Sequence, residues 1–336
     1  MPTYVVTGGA GFIGSNFVRL ALASRPDLGI VDIDLLTYAG NLENLEGLPA
    51  GRHTFIRADI TDPEAMRKAV PADGDALINF AAETHVDRSI LGPLAFARTN
   101  VLGTQVLLDI AREKKVRRFI QVSTDEVYGS LQPGEPPFTE DRPPAPSSPY
   151  AASKAGADLL VLAAHHTYGQ NVGITRCSNN YGPYQFPEKL IPLMLSNALE
   201  DKPLPVYGDG RQVRDWIHTD DHSRAILAVV DRGRPGRVYN IGSQSERYNI
   251  DVVGLILKTL GKSESLIRHV TDRPGHDRRY GIDPARIRTE LEWQAEVPFE
   301  EGLAGTIRWY RDHQDWWRRI KDGTYREFYE KWYGGR

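Results

Sequence analysis

The sequence of 336 residues contains a single cysteine, Cys177, and no long hydrophobic run. One cysteine excludes an intrachain disulfide and a zinc site built on cysteine ligands, and it predicts a cytoplasmic location. No apolar stretch approaches the roughly 20 residues that span a bilayer, and no charged and apolar leader is recognised. The net charge of -3 gives no bulk attraction to nucleic acid or to an anionic membrane. We therefore expect a soluble intracellular enzyme or binding protein without nucleic-acid, membrane or metal partners.

What the sequence does contain is an alternation of short apolar strands with helical stretches. The predicted strands cover residues 3–7, 30–36, 54–57, 76–80 and 119–123. Such alternation predicts an α/β fold, a Rossmann-type doubly wound parallel sheet with right-handed crossovers. We assign residues 1–177 to this domain, with some later segments returning to it. Residues 178–336, where turn-rich segments recur, are predicted to form mainly a smaller α+β substrate lobe.

Glycines follow the first predicted strand at the start of a helix. Gly8, Gly11 and Gly14 permit a tight turn and a close approach of backbone to a pyrophosphate, which the free N–H groups of the helix N-terminus can bind. A dinucleotide site also needs an acid at the end of the second strand. Asp32 and Asp34 both qualify, and Asp34 fits better. A carboxylate there accepts hydrogen bonds from the ribose hydroxyls and repels a 2′-phosphate, so we predict NAD rather than NADP.

The ends of the third and fourth strands add further cofactor candidates. Asp59 and Ile60 follow the third strand, and Ala81, Ala82, Glu83 and Thr84 follow the fourth. Open α/β sheets bind ligands at the carboxyl ends of their strands. These residues are predicted to lie near adenine and the ribose phosphates, and purely structural turns are the alternative.

Tyr150 and Lys154 have the spacing of residues that share one face of a helix. A free tyrosine has a pKa of about 10, and an adjacent ammonium together with a positively charged nicotinamide is expected to lower it. Tyr150 would then take the proton of a substrate alcohol while NAD takes the hydride. Lys154 can also reach the nicotinamide ribose.

The fifth strand ends in hydroxyl and carboxyl side chains. Ser123 or Thr124 can orient the reacting alcohol, and Asp125 and Glu126 follow directly. Two carboxyls in different environments can serve as one acid and one base. Alcohol oxidation does not need this pair, which therefore suggests removal of water at the same site. A capping aspartate beside a solvated glutamate is the alternative for the pair by itself.

Longer segments carry a family resemblance. They are TGGAGFIGSNF (7–17), LTYAGNLENL (36–45), AAETHVDRSI (81–90), STDEVYG (123–129), SPYAASKAGAD (148–158), RCSNNYGPYQFPEKLIP (176–192), VYGDGRQVRDWIH (206–218) and DRPGHDRRY (272–280). With them, nearly the whole chain resembles the extended short-chain dehydrogenase/reductases, and within these the dTDP-glucose 4,6-dehydratase family. The glycine turn and the Tyr–Lys spacing identify only the superfamily, whereas the Thr-Asp-Glu triplet and the later segments point to the dehydratases.

The resemblance implies conversion of dTDP-glucose to dTDP-4-keto-6-deoxyglucose and water. Tyr150 and Lys154 would deprotonate the C4 hydroxyl, oriented by Thr124, as NAD takes the C4 hydride. Glu126 would remove the C5 proton, Asp125 would protonate the departing C6 hydroxyl, and the hydride would return to C6. NAD is thus expected to be tightly bound and regenerated in each turnover. A UDP- or CDP-glucose 4,6-dehydratase, or another NAD-dependent sugar-nucleotide epimerase or dehydratase, is the alternative, and a non-catalytic NAD-binding protein is the alternative of another class.

The resemblance also implies contacts for both ligands. To the cofactor residues already named it adds Phe12, Ile13, Leu35, Thr37, Thr99 and Asn180. Leu35 stands where the family commonly has lysine, which leaves that contact open. For the sugar nucleotide it implies Thr84, Thr124, Asn179, Lys189, Leu190, Pro205, Tyr207, Arg214, Asn249, Asp272, Arg273 and His276.

Two further expectations concern Arg214 and the assembly. Arg214 is expected to bind the diphosphate, because a guanidinium is a planar bidentate donor; an ion pair with Asp215 or Asp221 is the structural alternative. A homodimer is implied, paired through a helix near residues 94–112 and the helix of Tyr150, with a tetramer left open. Cell-surface rhamnose and secondary-metabolite deoxysugars share the implied reaction, so the downstream pathway stays open.

Overall fold

The structure, a computed structural model, describes residues 1–132, 134–272 and 276–322. The strands in these ranges are β1 (Thr3–Thr7), β2 (Gly29–Asp34), β3 (His53–Arg57), β4 (Ala76–Asn79), β5 (Phe119–Thr124), β6 (Val172–Cys177), β7 (Asn179–Tyr181), β8 (Leu204–Tyr207), β9 (Val213–His218), β10 (Arg237–Ile241), β11 (Glu246–Tyr248) and β12 (Ile267–Val270). The α-helices are α1 (Phe12–Ser24), α2 (Pro63–Ala69), α3 (Val86–Leu91), α4 (Pro93–Phe96), α5 (Gly103–Glu113), α6 (Pro149–Tyr168), α7 (Leu190–Leu199), α8 (Thr219–Arg232), α9 (Asn249–Leu260), α10 (Ala285–Leu291), α11 (Phe299–Asp312) and α12 (Gln314–Lys321). A π-helix, Ala97–Leu102, joins α4 to α5, and short 3₁₀ helices cover Leu42–Leu45, Asp125–Tyr128 and Glu264–Leu266.

The main sheet has seven strands in the order β10-β6-β5-β4-β1-β2-β3, all parallel. This is the predicted Rossmann-type architecture. The five predicted strands are present with small shifts at their ends. The largest shift is in β2, which ends at Asp34 rather than at residue 36, because Leu36 adopts a left-handed backbone with φ of 58° that cannot continue a strand.

The sheet is covered by helices on both faces, as parallel sheets generally are. Side chains of one strand alternate between the two layers: Val6 packs in the core with α1 and α8, whereas Val5 packs in the core with α2, α5 and α6. Every residue of β4, β5 and β6 is buried. The ends of these strands are therefore held rigidly where the candidate residues follow.

The second lobe contains two small sheets, β11-β9-β7 and β12-β8. Their core includes Met194, Ile256, Tyr310 and Trp317, contributed by α7, α9, α11 and α12. β10 lies beyond residue 178 in sequence but pairs with β6 in the main sheet. The division at residue 177 stays a prediction. In the described part of the chain, none of the helices has both the length and the hydropathy required to cross a bilayer.

Candidate active site

The turn between β1 and α1 leaves no room for side chains at its glycines. Gly8 has φ of 77°, and a Cβ there would lie 2.6 Å from the backbone nitrogen of Ala81. A Cβ on Gly14 would lie 2.2 Å from the carbonyl oxygen of Gly8. Gly11 precedes α1 without a side-chain cap, and no acidic residue occupies the first turn of the helix. The N–H groups at this helix end can therefore receive an anion such as the pyrophosphate of a dinucleotide.

Asp34 lies at the end of β2, beside this turn. Its carboxylate accepts hydrogen bonds from the backbone N–H groups of Leu36 at 2.7 Å and Ala10 at 3.1 Å. Burial, and to a lesser extent the nearby Asp32, raises the pKa of Asp34 to about 6. A carboxylate held here fits the predicted role of ribose acceptor.

A cleft of about 1590 Å³, including its open mouth, runs along the carboxyl ends of the main-sheet strands. All predicted cofactor and catalytic residues line it, as do Thr84, Asn179 and Lys189. Residues that the sequence prediction missed also line it, among them Ala39, Gly40, Ser178, Gln185, Phe186 and Glu188. All of these lie within the sequence segments that carried the family resemblance, and membership of those segments could have identified them as candidate site residues.

Tyr150 and Lys154 lie one turn apart near the start of α6, and both are buried. The helix begins at Pro149 because Ser148 caps it, accepting the N–H of Ala151 at 3.1 Å. The Lys154 ammonium donates to the carbonyl oxygen of Val122 in β5 at 2.7 Å. This bond holds the lysine against the strand that ends in the other catalytic candidates.

In the protein alone the pKa of Tyr150 is raised, whereas Lys154 and an oxidised nicotinamide together were predicted to lower it. Burial raises the pKa well above its usual value, and Glu126 and Cys177 raise it further, whereas a hydrogen bond with Thr124 acts in the opposite direction. Burial also lowers the pKa of Lys154. The predicted lowering also requires the positive charge of an oxidised nicotinamide, so it stays a prediction.

Asp125 and Glu126 line the same cleft although they are adjacent in sequence. β5 ends at Thr124, whose hydroxyl accepts the N–H of Glu126 at 3.3 Å and donates to Asp125 Oδ1 at 3.3 Å. The chain then turns into a 3₁₀ helix, so the strand alternation that would separate the two side chains no longer applies. Thr124 caps the N-terminus of this 3₁₀ helix, which argues against the interpretation of Asp125 as the capping residue.

The two carboxyls differ in their surroundings. Asp125 is 2% exposed, and its Oδ2 has no hydrogen-bond partner among the described residues. Burial, followed by the charge of Glu126, raises the pKa of Asp125 well above the ordinary range of an aspartate. Glu126 is less buried and faces a second cleft as well. This arrangement suits Asp125 to carry a proton and Glu126 to accept one.

The second cleft, of about 790 Å³, meets the first at Glu126, Asn179, Glu188 and Lys189. It is lined by most of the predicted sugar-nucleotide residues: Asn179, Lys189, Leu190, Pro205, Tyr207, Arg214, Asn249 and His276. Asp272 lies behind this lining, bonded to His276 and accepting from Gln212 at 2.9 Å. Arg273 is outside the described residues.

Arg214 is buried beside this cleft. Its guanidinium donates to the carbonyl oxygens of Val213 at 2.7 Å and Asp277 at 3.0 Å, and it stacks over Tyr280 at 4.2 Å. Asp215 and Asp221, the partners of the structural alternative, accept hydrogen bonds from other groups. The guanidinium is therefore fixed at the wall of the cleft.

Two residues outside the predictions support the site, His222 from behind the lining and Glu188 from within it. The Nδ1 of His222 lies 2.8 Å from Asn180 Oδ1, and burial lowers the pKa of His222 to about 3, so the ring is neutral. Glu188 accepts from the hydroxyl of Tyr38 at 3.1 Å and from Arg88 at 3.3 Å. No group of three or more histidine, cysteine or carboxylate side chains capable of holding a metal occurs among the described residues.

Comparisons with known proteins identify the family of the chain. The family model of GDP-mannose 4,6-dehydratase matches residues 5–306. The chain is 52% identical to the dTDP-glucose 4,6-dehydratase of Xanthomonas campestris pv. campestris, over 97% of this chain and 98% of that protein. It superposes with a TM-score of 0.92 on the dTDP-glucose 4,6-dehydratase of Streptomyces venezuelae solved with NAD and TDP bound, at 50% identity, covering 95% of this chain and 100% of that one.

A UDP-glucose 4-epimerase of Thermotoga maritima is a more distant neighbour. Its TM-score is 0.85 at 28% identity, covering 93% of this chain and 99% of that one. The fold is thus shared across the superfamily, whereas the high identity is to dehydratases. The chain belongs to the GDP-mannose 4,6-dehydratase family of extended short-chain dehydrogenase/reductases and, within it, to the dTDP-glucose 4,6-dehydratases.

Proposed function

We propose that the protein is an NAD-dependent dTDP-glucose 4,6-dehydratase, a hydro-lyase that forms dTDP-4-keto-6-deoxyglucose and water. The observation that carries the proposal is the presence of Asp125 and Glu126 in the same cleft as Tyr150 and Lys154. The relatives of about half identity bear this name, and one is solved with NAD and TDP. A 4-epimerase would have no use for the additional acid and base.

The cofactor proposal depends on the fit of the β1–α1 turn to a dinucleotide. The glycines admit a pyrophosphate close to the backbone, and Asp34 would accept ribose hydroxyls. Bound NAD would supply the hydride acceptor for C4 and the hydride donor for C6. Lys154 and Asn180 would hold the nicotinamide end, and Thr37, Asp59 and Ile60 line the other end of the cleft.

In the first stage, Tyr150 would take the proton of the C4 hydroxyl. Thr124 hydrogen-bonds with Tyr150 and would orient that hydroxyl. Lys154, fixed by the Val122 carbonyl, would stabilise the phenolate as it forms.

In the second stage, Glu126 would remove the C5 proton, which the C4 ketone acidifies because the resulting carbanion is an enolate. Asp125 would donate its proton to the C6 hydroxyl, which leaves as water. The raised pKa of Asp125 supports this role, since a protonated acid at neutral pH is needed. As the hydride returns to C6, Glu126 would give its proton back to C5. Asp125 has then lost one proton with the water and Tyr150 has gained one, so transfer of one proton from Tyr150 to Asp125 would restore the site.

The sugar nucleotide would occupy the second cleft. Arg214 would bind the diphosphate, Asn179 the hexose or phosphate, and Pro205 and Tyr207 would flank the base. The fixed guanidinium of Arg214 at the cleft wall supports the first assignment. The remaining predicted contacts are Thr84, Lys189, Leu190, Asn249, Asp272, Arg273 and His276.

We further propose a homodimer in the cytoplasm. Large hydrophobic side chains are exposed on neighbouring helices of one region: Leu91, Leu94, Leu102 and Leu159. Such residues on α3, α4, α6 and the π-helix support pairing through the helices that were predicted to form the interface. The cytoplasmic location remains a prediction from the cysteine content.

The test is turnover of purified protein on dTDP-glucose, followed by the absorbance of the 4-keto product in base. UDP- and CDP-glucose are run beside it. We expect kcat/KM to be highest for dTDP-glucose; one methyl group separates thymine from uracil and is worth roughly 10–200-fold in an apolar pocket. Preference for another nucleotide would reassign the substrate, epimerised product would indicate an epimerase, and no turnover on any of them would favour a non-catalytic NAD-binding protein.

A further inference from the structure

Helix α12, close to the end of the described chain, contacts the region of the cofactor turn. The Nε1 of Trp316 donates to Asn44 Oδ1 at 3.0 Å, across 272 residues of sequence. Both side chains are buried, with Asn44 1% exposed. A buried hydrogen bond of this kind is costly to leave unmade.

Asn44 also contacts the turn between β1 and α1, so it links Trp316 to that turn. Its Nδ2 donates to the carbonyl oxygen of Ala10 at 2.8 Å, and the N–H of Asn41 donates to the same oxygen at 3.0 Å. On its other side, the N–H of Ala10 donates to Asp34. Ala10 lies between Gly9 and Gly11, where the backbone has little stiffness of its own. These bonds therefore fix the Ala10 peptide, in addition to the backbone bonds from Gly8 to Ile33 and from Gly11 to Gly8 that hold the rest of the turn.

Other contacts join the same segments. Arg319 of α12 forms an exposed ion pair with Glu43, and Arg19 of α1 donates to the carbonyl oxygen of Asn44 at 3.0 Å. Exposed ion pairs contribute little because solvent screens them. The buried Trp316–Asn44–Ala10 chain is thus the main tie between α12 and the turn.

We propose that α12 is a cofactor-retention element, in which Trp316, acting through Asn44, is a positioning residue for the turn that receives the NAD pyrophosphate. The proposal rests on the proposed function in that it takes NAD as the occupant of the turn. Holding the Ala10 peptide fixed orients the following N–H groups before the pyrophosphate arrives, so less ordering is needed on binding. A reaction that oxidises and then reduces the same sugar has use for slow cofactor release.

The test compares two tryptophans of the same helix. Trp316→Phe keeps a packed ring but removes the N–H that bonds Asn44, whereas Trp317→Phe removes an N–H that donates to the Tyr310 carbonyl oxygen at 2.9 Å, away from the turn. Each variant is loaded with labelled NAD and chased with excess unlabelled NAD. We expect release from Trp316→Phe to be about three- to tenfold faster than from wild type, the effect of one hydrogen bond. Release from Trp317→Phe should equal that of wild type.

Equal release rates in the two variants, or acceleration that simply follows their loss of thermal stability, would overturn the proposal. Asn44→Asp provides a second approach should Trp316→Phe fold poorly. It retains an acceptor for Trp316 but turns an oxygen toward the Ala10 carbonyl, so NAD release should accelerate while the tryptophan bond remains. Adding Trp316→Phe to Asn44→Asp should then produce little further effect, because the tryptophan acts through Asn44; additive effects would contradict this route.

The proposed function and the retention proposal are tested by independent measurements. Turnover of wild type on dTDP-glucose does not depend on the release comparison, and the release comparison needs only bound NAD. A wild-type protein that holds NAD but fails to convert dTDP-glucose would contradict the function and leave the retention proposal standing. Normal turnover of wild type together with an unchanged rate of NAD release from Trp316→Phe would support the function and contradict the retention proposal.

Discussion

Asp125 and Glu126 show how one turn of backbone gives neighbouring carboxyls different chemistry. The end of β5 at Thr124 puts Asp125 into the protein interior, while Glu126 remains partly open to both clefts. Burial then separates their affinities for a proton. This difference in proton affinity arises from the positions of the two residues on a short 3₁₀ helix. Substitutions that remove the charge and preserve the shape of each side chain therefore test the two roles.

Glu126→Gln is expected to lower the rate of water loss by roughly 10²–10⁴-fold, because an amide cannot take the C5 proton. Oxidation at C4 should persist in part, visible as nicotinamide absorbance after a single addition of dTDP-glucose. Asp125→Asn should slow water loss more than oxidation. Glu301→Gln, at an exposed position in α11, is the matched control and should leave both steps unchanged. Full dehydratase activity in Glu126→Gln would contradict its assignment as the base.

Asp34 gives a pH dependence to cofactor binding. Its pKa is raised to about 6, so the carboxyl is ionised above that pH and protonated below it. The ionised form is the better acceptor for ribose hydroxyls, and we expect the Kd for NAD to rise as the pH falls through about 6. Titrations of NAD at several pH values between 5 and 8 measure this. Asp34→Asn should bind more weakly and lose the dependence; a wild-type Kd that is flat across this range would contradict the role.

At the scale of elements, two helical glycines differ in what surrounds them. Gly14 in α1 has the Gly8 carbonyl oxygen 2.2 Å from a would-be Cβ, whereas Gly254 in α9 has nothing within 4 Å. Gly14→Ala is expected to push the turn apart and abolish NAD binding. Gly254→Ala should leave NAD binding intact and raise the free energy of unfolding by about 0.4–1 kcal/mol, because alanine restricts the unfolded chain. Calorimetry and NAD titration on both variants check the contrast.

The strands and helices that could be predicted are those marked by a local sequence pattern. Apolar runs marked β1 to β5, and the glycines marked the start of α1. β10 was foreseen only as an unspecified returning segment, because its five residues RVYNI resemble many turn-flanked runs of the second lobe. Its place beside β6 depends on how α8 packs on α1, which no local pattern encodes.

The same limit applied to the site. Its lining was predicted through motifs and family resemblance, but the residues behind the lining were not. His222 and Trp316 each reach the site through a contact made only on folding. The depth of burial that raises the pKa of Tyr150 is likewise not visible in the Tyr–Lys spacing of the sequence.

For the whole molecule, the exposed leucines of α3, α4, α6 and the π-helix carry the prediction of a dimer. Leu94 is 80% exposed, the most of this group. We expect Leu94→Asp to weaken dimerisation by about tenfold or more, since it would place a charge in an apolar interface. Sedimentation over a concentration series measures the change. Leu42→Asp alters another exposed leucine, on the 3₁₀ helix after β2, and should leave the assembly unchanged; a monomeric wild type would contradict the prediction.

The pairing of β10 with β6 has a consequence for synthesis of the chain. When residue 177 has left the ribosome, β6 is complete, but β10, which covers its outer edge, begins about 60 residues later and has not yet emerged. During that interval a wholly buried strand presents open N–H and C=O groups, the kind of edge that recruits other chains. We expect fragments that end between residues 178 and 236 to aggregate or to be retained by chaperones, and solubility to improve once the chain extends beyond residue 241. A nascent chain of this protein therefore depends on rapid completion of its second half to protect its first.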